Sequence, residues 1–593
     1  MGTSRVLKIA RGKRPPSSFD DRATSRSEVV TTYSFQRLFE ILAAIDLFGD
    51  APPPVPYTLP PTVKGVGAVI DRGCGLLPRL FQESYGSPLK ATLPSLISSL
   101  DARRLSLNTL ETITGAVYEH GDLSIAAPLS RFLAVVSDLY RSFLSKKRRI
   151  AAGFPLTETL PPLAMFQHSG SSGPFTLPCD TMRSAIGAKV GVVSIPAVYT
   201  SHPLLWGALC HETGGHDVTH ADEALLPELK RLVVTFLGGN GGSASDSPLM
   251  GALWSYWMDE ATADVYGLLN MGPAFALNLI ALFTALNARA SGGKKPQLRS
   301  ASGFDPDDPE KFLDEHPTDI LRPFLAIGVI ESLRGLPLSV KEAYINQLTQ
   351  LTAQCAGQTE EVTLAGVIAD GSGARIPISQ NFPLAQMKLM ARQVGAFISS
   401  VQLEALGNHC IQDIETWENS DEQTAQRIAA ALLHQVEIKG LGDDAQLLAG
   451  ATLAAFQQPE LYDSINRSLN DALDVSFQDD PIWGRLPADR AFLKDGAFAL
   501  PLDFVTAARI CTACIHDVSG FSGPIAGQDQ LSKFGFLSQD SLDNLVNQVV
   551  NDPTDGVPSA GFRIQDPNAL AFSKGMTVSQ METAVVKQSV SAL

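Results

Sequence analysis

Four of the ten histidines of this chain, His202, His211, His216 and His220, fall between positions 202 and 220. Two of them belong to the stretch His211-Glu212-Thr213-Gly214-Gly215-His216, and a second acidic stretch, Asp259-Glu260-Ala261-Thr262-Ala263-Asp264, lies downstream. Neutral imidazoles together with a carboxylate are the ligand types that a zinc ion takes. A histidine followed at once by a glutamate can offer its ring to the ion while the carboxylate meets the attacking water. The stretch therefore reads as the active-site helix of a metal-dependent hydrolase, with His211 and His216 as ligands and Glu212 as general base. Glu260 and Asp264 are four apart and share one helix face. Glu260 then completes a His2Glu set with an open fourth position, and Asp264 accepts the outer N–H of a ligand imidazole.

The spacing of the two histidines imposes a condition. Four residues apart on an ideal helix, two rings lie about 40° apart and converge; five apart, as here, they lie about 140° apart and do not. A π-bulge between His211 and His216 removes the conflict, and such bulges concentrate at functional sites. Gly214 and Gly215 ease it, since glycine tolerates strained backbone and weakens a regular helix. A shifted pair, His216 with His220 and Asp217 in place of the glutamate, needs no bulge but leaves Glu212 without a role. His220 otherwise reads as a surface residue past the helix end, and His202, before Pro203, as a helix-start residue. Cys210 reads as core on the opposite helix face. Cys511-Thr512-Ala513-Cys514-Ile515-His516 has no matching Cys/His pair nearby and reads as packed thiols.

The elements that must position these residues can be read more coarsely. With 593 residues and 45% hydrophobic content, the chain is long enough for several cores. Its net charge of -16 argues against a phosphate-binding surface built from concentrated Lys and Arg, so no nucleic-acid partner is expected. The short runs Arg11 to Arg14 and Lys146-Lys147-Arg148-Arg149 read as solvated. Seven scattered cysteines argue for reduced thiols and a cytoplasmic setting. Pro15-Pro16-Ser17-Ser18 stands where a signal peptide would need an apolar run, Val6 stands where N-myristoylation expects Ser or Thr, and Phe275 to Leu286 is too short to span a bilayer, so no membrane association is expected. Residues 1–150 read as a mostly helical N-terminal region behind a polar start and a proline-rich break at 51–61. Residues 151–345 form the catalytic core, with a loop-rich approach at 154–187, a strand at Val190–Ile195, and helices at 204–216, 253–269, 274–288 and 316–335. Residues 346–593 read as a helical C-terminal region with one Ile/Val stretch near 362–378. The class is mainly α (α+β) with one small sheet.

His-Glu-x-x-x-His with Glu-x-x-Ala-Asp resembles the gluzincin branch of zinc metallopeptidases, over about 190–325. The inserted residue and Gly215 are similar to the dipeptidyl peptidase III family, whereas Asp264 fits thermolysin-like and aminopeptidase-like gluzincins. The resemblance implies a zincin-like core whose edge strand, here 190–195, pairs with extended substrate backbone. It also implies an oxyanion-stabilising group near the scissile carbonyl, for which His316, Arg322, Tyr256 and Tyr266 are candidates. The plain readings beside these are a salt-bridged helix start with Asp314 or Asp319, and partly buried aromatics. The expected activity is zinc-dependent hydrolysis of a peptide or small amide. A zinc hydrolase of a non-peptide amide or ester, a non-catalytic zincin-derived binding protein, and a metal-free helical scaffold are the alternatives.

Overall fold

The computed structural model describes residues between 32 and 483, except 46, 48–66, 72–73, 75–76, 79–80, 93–106, 121–124, 158, 168–172, 240–246, 289–294, 303–311, 358, 370–374 and 481. The polar start, the proline-rich segment at 51–61 and the Cys511–His516 stretch lie outside the described residues.

Among the described residues helices dominate, and two three-stranded sheets stand where the sequence reading expects one. Helices α1 (Thr32–Ala44), α2 (Leu107–Glu119), α3 (Ala126–Leu144) and α4 (Lys146–Ala152) precede the first sheet. That sheet is built from β1 (Leu160–Gln167), β2 (Phe175–Leu177) and, after α5 (Cys179–Ile186), β3 (Val190–Pro196). Its order is β1-β3-β2, with β1 parallel and β2 antiparallel to β3. The Val/Ile run of β3 is buried at all seven positions, the pattern of a strand covered on both faces. It is thus the central strand and not the edge expected of it; the short β2 is an edge. The region at 154–187 read as loop because β1 starts Leu160-Pro161-Pro162. Proline cannot donate to a ladder, so it is confined to edges and irregularities. The register with β3 shifts between Leu160 and Leu163, at those prolines.

The next element is composite. α6 runs as an α-helix over Ala208–His211, as a π-helix over Glu212–Asp217, and again as an α-helix over Val218–Ala221. α7 (Leu225–Gly239), α8 (Ser247–Tyr256), α9 (Met258–Met271) and α10 (Ala274–Ala288) follow. The helix expected from 316 starts at Arg322 instead, with Pro323 in its first turn, where a missing N–H costs nothing. It is α11 (Arg322–Ser332), after β4 (Ala301–Ser302). Then come α12 (Leu338–Ala356), the β5–β6 hairpin (Glu361–Ala369 and Arg375–Pro383), α13 (Leu384–Ser400), α14 (Asn419–Leu433), α15 (Asp444–Gln457) and α16 (Tyr462–Asp479). β4 adds to β5 in parallel, giving the order β4-β5-β6.

α9 is the hub. It is buried from Met258 to Met271 apart from Asp259, and it packs against α6, α10, α11, α13 and α15. One continuous apolar core runs from Phe35 to Trp483 through all of these elements. Among the described residues no helix is long and apolar enough to cross a membrane, and the five described cysteines are buried free thiols. Arg149, read as solvated, is instead fully buried and donates to both carboxylate oxygens of Asp222, at 2.8 and 2.5 Å.

Candidate metal centre

The π turn that the histidine spacing required is present, and it spans Glu212 to Asp217. A π turn takes more than four residues, so a step of five returns to nearly the same face. The Nε2 atoms of His211 and His216 consequently meet at 3.2 Å. The two glycines have a second purpose. A methyl group on Gly215 would lie 2.5 Å from Ala263 Cα and 2.8 Å from its carbonyl oxygen, and one on Gly214 would strike Asn270. Bare backbone on α6 thus lets α9 approach closely, and the alanine of Glu260-x-x-Ala263-Asp264 is the surface it rests on. That approach delivers Glu260. Its Oε2 lies 3.0 Å from His211 Nε2 and its Oε1 lies 3.4 Å from His216 Nε2.

These three separations have a simple meaning. Ligand atoms about 2.0 Å from a tetrahedral ion are separated by roughly 3.3 Å. Between neutral rings the contacts make poor sense as hydrogen bonds. Carboxylates cannot donate, so His211 Nδ1 donates to Asp264 Oδ1 at 3.0 Å and His216 Nδ1 donates to Asp259 Oδ1 at 3.1 Å. In neutral rings both Nε2 atoms then carry lone pairs that face each other. Glu260 Oε2 is buried and accepts no hydrogen bond of acceptable geometry despite its close neighbours. Burial opposes charge on His216, yet Glu260 and Asp259 hold its pKa well above the ordinary value. Burial likewise pushes Glu260 up, and His216 and His316 overcome it and hold its pKa well below the ordinary range. The group favours a positive charge at its centre, and His211, His216 and Glu260 can hold a metal ion.

A second group of close ligand atoms, His216, His220 and Asp259, shares His216 with the first. A ring nitrogen that donates to Asp259 has no lone pair for another ion, so this group is the back support of the first. His220 sits between Asp180 (2.8 Å) and Asp259 (3.0 Å). Burial lowers its pKa, but the two carboxylates win and push it up to about 9. It is neither a ligand nor a free surface residue; it holds Asp259. The shifted reading through Asp217 also fails, because that side chain turns inward to accept the backbone N–H of Cys179 at 3.0 Å. Cys210 is core, as expected, and His202 bonds Tyr462 at 3.2 Å, away from the cluster.

Glu212 is 6% exposed and directly follows His211, and its Oε2 accepts from Thr176 Oγ1 of β2 at 2.8 Å. His316 also reaches the site. Its Nε2 lies 3.2 Å from Glu260 Oε2, Asp314 Oδ1 holds its Nδ1 at 2.8 Å, and its side chain is 44% exposed. Among the described residues it falls outside the group of mutually close ligand atoms. The other oxyanion candidates are placed differently. Arg322 is buried behind Asp264, to which it donates at 2.7 and 2.6 Å, with Phe283 against its guanidinium. Burial pushes the Asp264 carboxyl up, but Arg322 and His211 hold it below its ordinary range. Tyr256 donates to the Leu313 carbonyl at 2.6 Å and Trp257 Nε1 donates to the Asp314 carbonyl at 3.0 Å, so together they anchor the strap that carries His316. Tyr266 is fully buried, its ring edge against Phe143, with Arg149 and Asp222 as its charged neighbours. Thr176, Asp259 and Asp180 escaped the sequence reading; Asp259, adjacent to Glu260, was the one with a local signal.

The chain matches no protein-family model, no curated protein and no solved structure.

Proposed function

We propose that this protein is a zinc-dependent hydrolase of peptide bonds, with the ligand set of the gluzincins. The observation that carries the reading is the convergence of two Nε2 atoms, each backed by an aspartate, and an orphaned carboxylate oxygen on one point, with Glu212 directly following the ligand His211. Two imidazoles and one carboxylate with an open position are the donor set of a catalytic zinc site. An ion held there would act as a Lewis acid on a water and on the scissile carbonyl.

The chain's own residues supply the rest. Glu212 takes a proton from the attacking water and returns it to the leaving nitrogen. His316, with Nδ1 held by Asp314, points Nε2 at the centre, and in the imidazolium form, where both ring nitrogens carry a proton, Nε2–H would donate to the oxygen on which charge develops. Asp264 and Asp259 keep Nδ1 of the two ligand rings protonated and Nε2 free. Arg322 keeps the buried Asp264 ionised and so acts on the site only through it. The short β2, an edge of its sheet, lies next to Glu212, where an extended peptide backbone can pair with it. Buried free thiols support a reducing, cytoplasmic setting.

The test combines metal analysis with a peptide screen. Purified protein is expected to carry one zinc per chain and to cleave members of a peptide library. Glu212→Gln should keep the zinc and lose at least a hundredfold in kcat. A variant that hydrolyses as fast as the wild type would remove Glu212 from the chemistry, and protein without zinc would sink the ligand set.

A further inference from the structure

We propose that Thr176 is a positioning residue for Glu212: a single hydroxyl on an edge strand that fixes the general base in its working rotamer. The inference rests on the metal-hydrolase reading above and goes beyond it, to a residue that carries none of the metal-site motifs.

Thr176 is the middle residue of β2 and pairs with Val193 of β3. Side chains alternate across a strand, so Thr176 projects to the face opposite Phe175 and Leu177. Its Oγ1 lies 2.8 Å from Glu212 Oε2 and 3.1 Å from the Glu212 carbonyl oxygen. One hydroxyl proton thus has two acceptors on one residue, and the charged carboxylate takes the stronger bond. Among the described residues Thr176 is the hydrogen-bond donor to that carboxylate. The consequence follows from burial. Glu212 is 6% exposed, so water does little to orient its flexible side chain, and one fixed donor decides where the carboxylate points. The strand that carries the donor is itself held by the fully buried β3, which makes the anchor stiff. Threonine suits the task on both counts: its β-branched stem favours the strand, and its hydroxyl donates.

The test uses the full chain loaded with Co2+ and follows the visible bands of the ion while acetohydroxamic acid is added. The two oxygens of the hydroxamate would bind the ion, and Glu212, held in its working rotamer, would accept a hydrogen bond from the bound molecule. Thr176→Val and Thr176→Ala should bind one cobalt with the spectrum of the wild type and bind acetohydroxamate about tenfold more weakly, the scale of the rotamer freedom that an unheld carboxylate regains. Thr176→Ser, which keeps the donor, should stay within about twofold. Adding Thr176→Val to Glu212→Gln should weaken binding no further, since the two act through one contact. Wild-type affinity in both Val and Ala variants would overturn the proposal. So would a Ser variant as weak as Val, or additive losses in the double variant, because each points to packing. Failure of the parent reading looks different: wild-type protein that binds no cobalt removes the centre and this role with it.

Discussion

Each ring at the centre leans on a carboxylate through Nδ1: His211 on Asp264, His216 on Asp259, His316 on Asp314. For the two ligand rings the arrangement fixes the tautomer and aims the lone pair of Nε2 at the common point. The aspartates are themselves held, Asp264 by the guanidinium of Arg322 and Asp259 by His220. Asp259 is the more informative to change, because its loss leaves no buried charge without a partner, whereas Asp264 stands against a buried arginine. In Asp259→Asn the amide can present its N–H2 group to Nδ1, which moves the ring proton to Nε2 and takes the lone pair from the ion. Metal affinity should fall between about tenfold and a hundredfold, the usual cost of losing such a support. Competition against a chelating dye measures it. Unchanged affinity would mean that Asp259 does not set the tautomer of His216.

At the scale of elements, the centre depends on how closely α6 and α9 cross, and Gly215 sets that distance. Gly215→Ala places a methyl against Ala263 backbone, which cannot yield as a side-chain end can. A cost of about 2 kcal/mol in urea unfolding is expected, typical of overpacking a close contact, together with loss of bound metal as Glu260 is pushed from the histidines. Wild-type stability would show that the helices can part without penalty. The same crossing marks what a sequence can disclose. The π turn was legible because two ligands five apart cannot converge without it, and Glu260 and Asp264 were legible because their spacing is local. The bed of Ala263 under Gly215 was not, since it depends on which helix arrives opposite. Nor was β1, where Pro161 and Pro162 mask a strand whose pairing with β3 is settled by tertiary burial. Strand order is a long-range property too, and so β3 proved central although it lies just before the ligand helix. Arg322 and Tyr256 stand close to the motifs along the chain, but their directions follow from packing: one turns behind Asp264, the other to the strap beside His316.

At the scale of the molecule, one apolar core joins the ligand helices to elements from Phe35 to Trp483, so a charge placed at the centre bears on the stability of the whole. An ion that binds the folded chain and not the unfolded one adds about 4 kcal/mol at a thousand times its Kd. The increment should depend on pH with a definite sign. Burial opposes protonation of His211 and His216, but their carboxylate neighbours raise the pKa of both above the ordinary histidine value. A raised pKa contributes stability that is fully present below the unfolded value, near 6.5, and is lost as pH rises through the folded value. Protons therefore favour the metal-free folded state at acid pH, and the ion must displace them to bind. Glu260, held well below its ordinary range, stays ionised throughout and adds no opposing trend. Unfolding by urea with and without zinc should thus show a larger zinc increment at pH 8 than at pH 6, and none at either pH in His211→Ala/Glu260→Ala. Equal increments at the two pH values would mean that no imidazole proton is displaced. An increment that survives the double variant would put the ion elsewhere in the molecule.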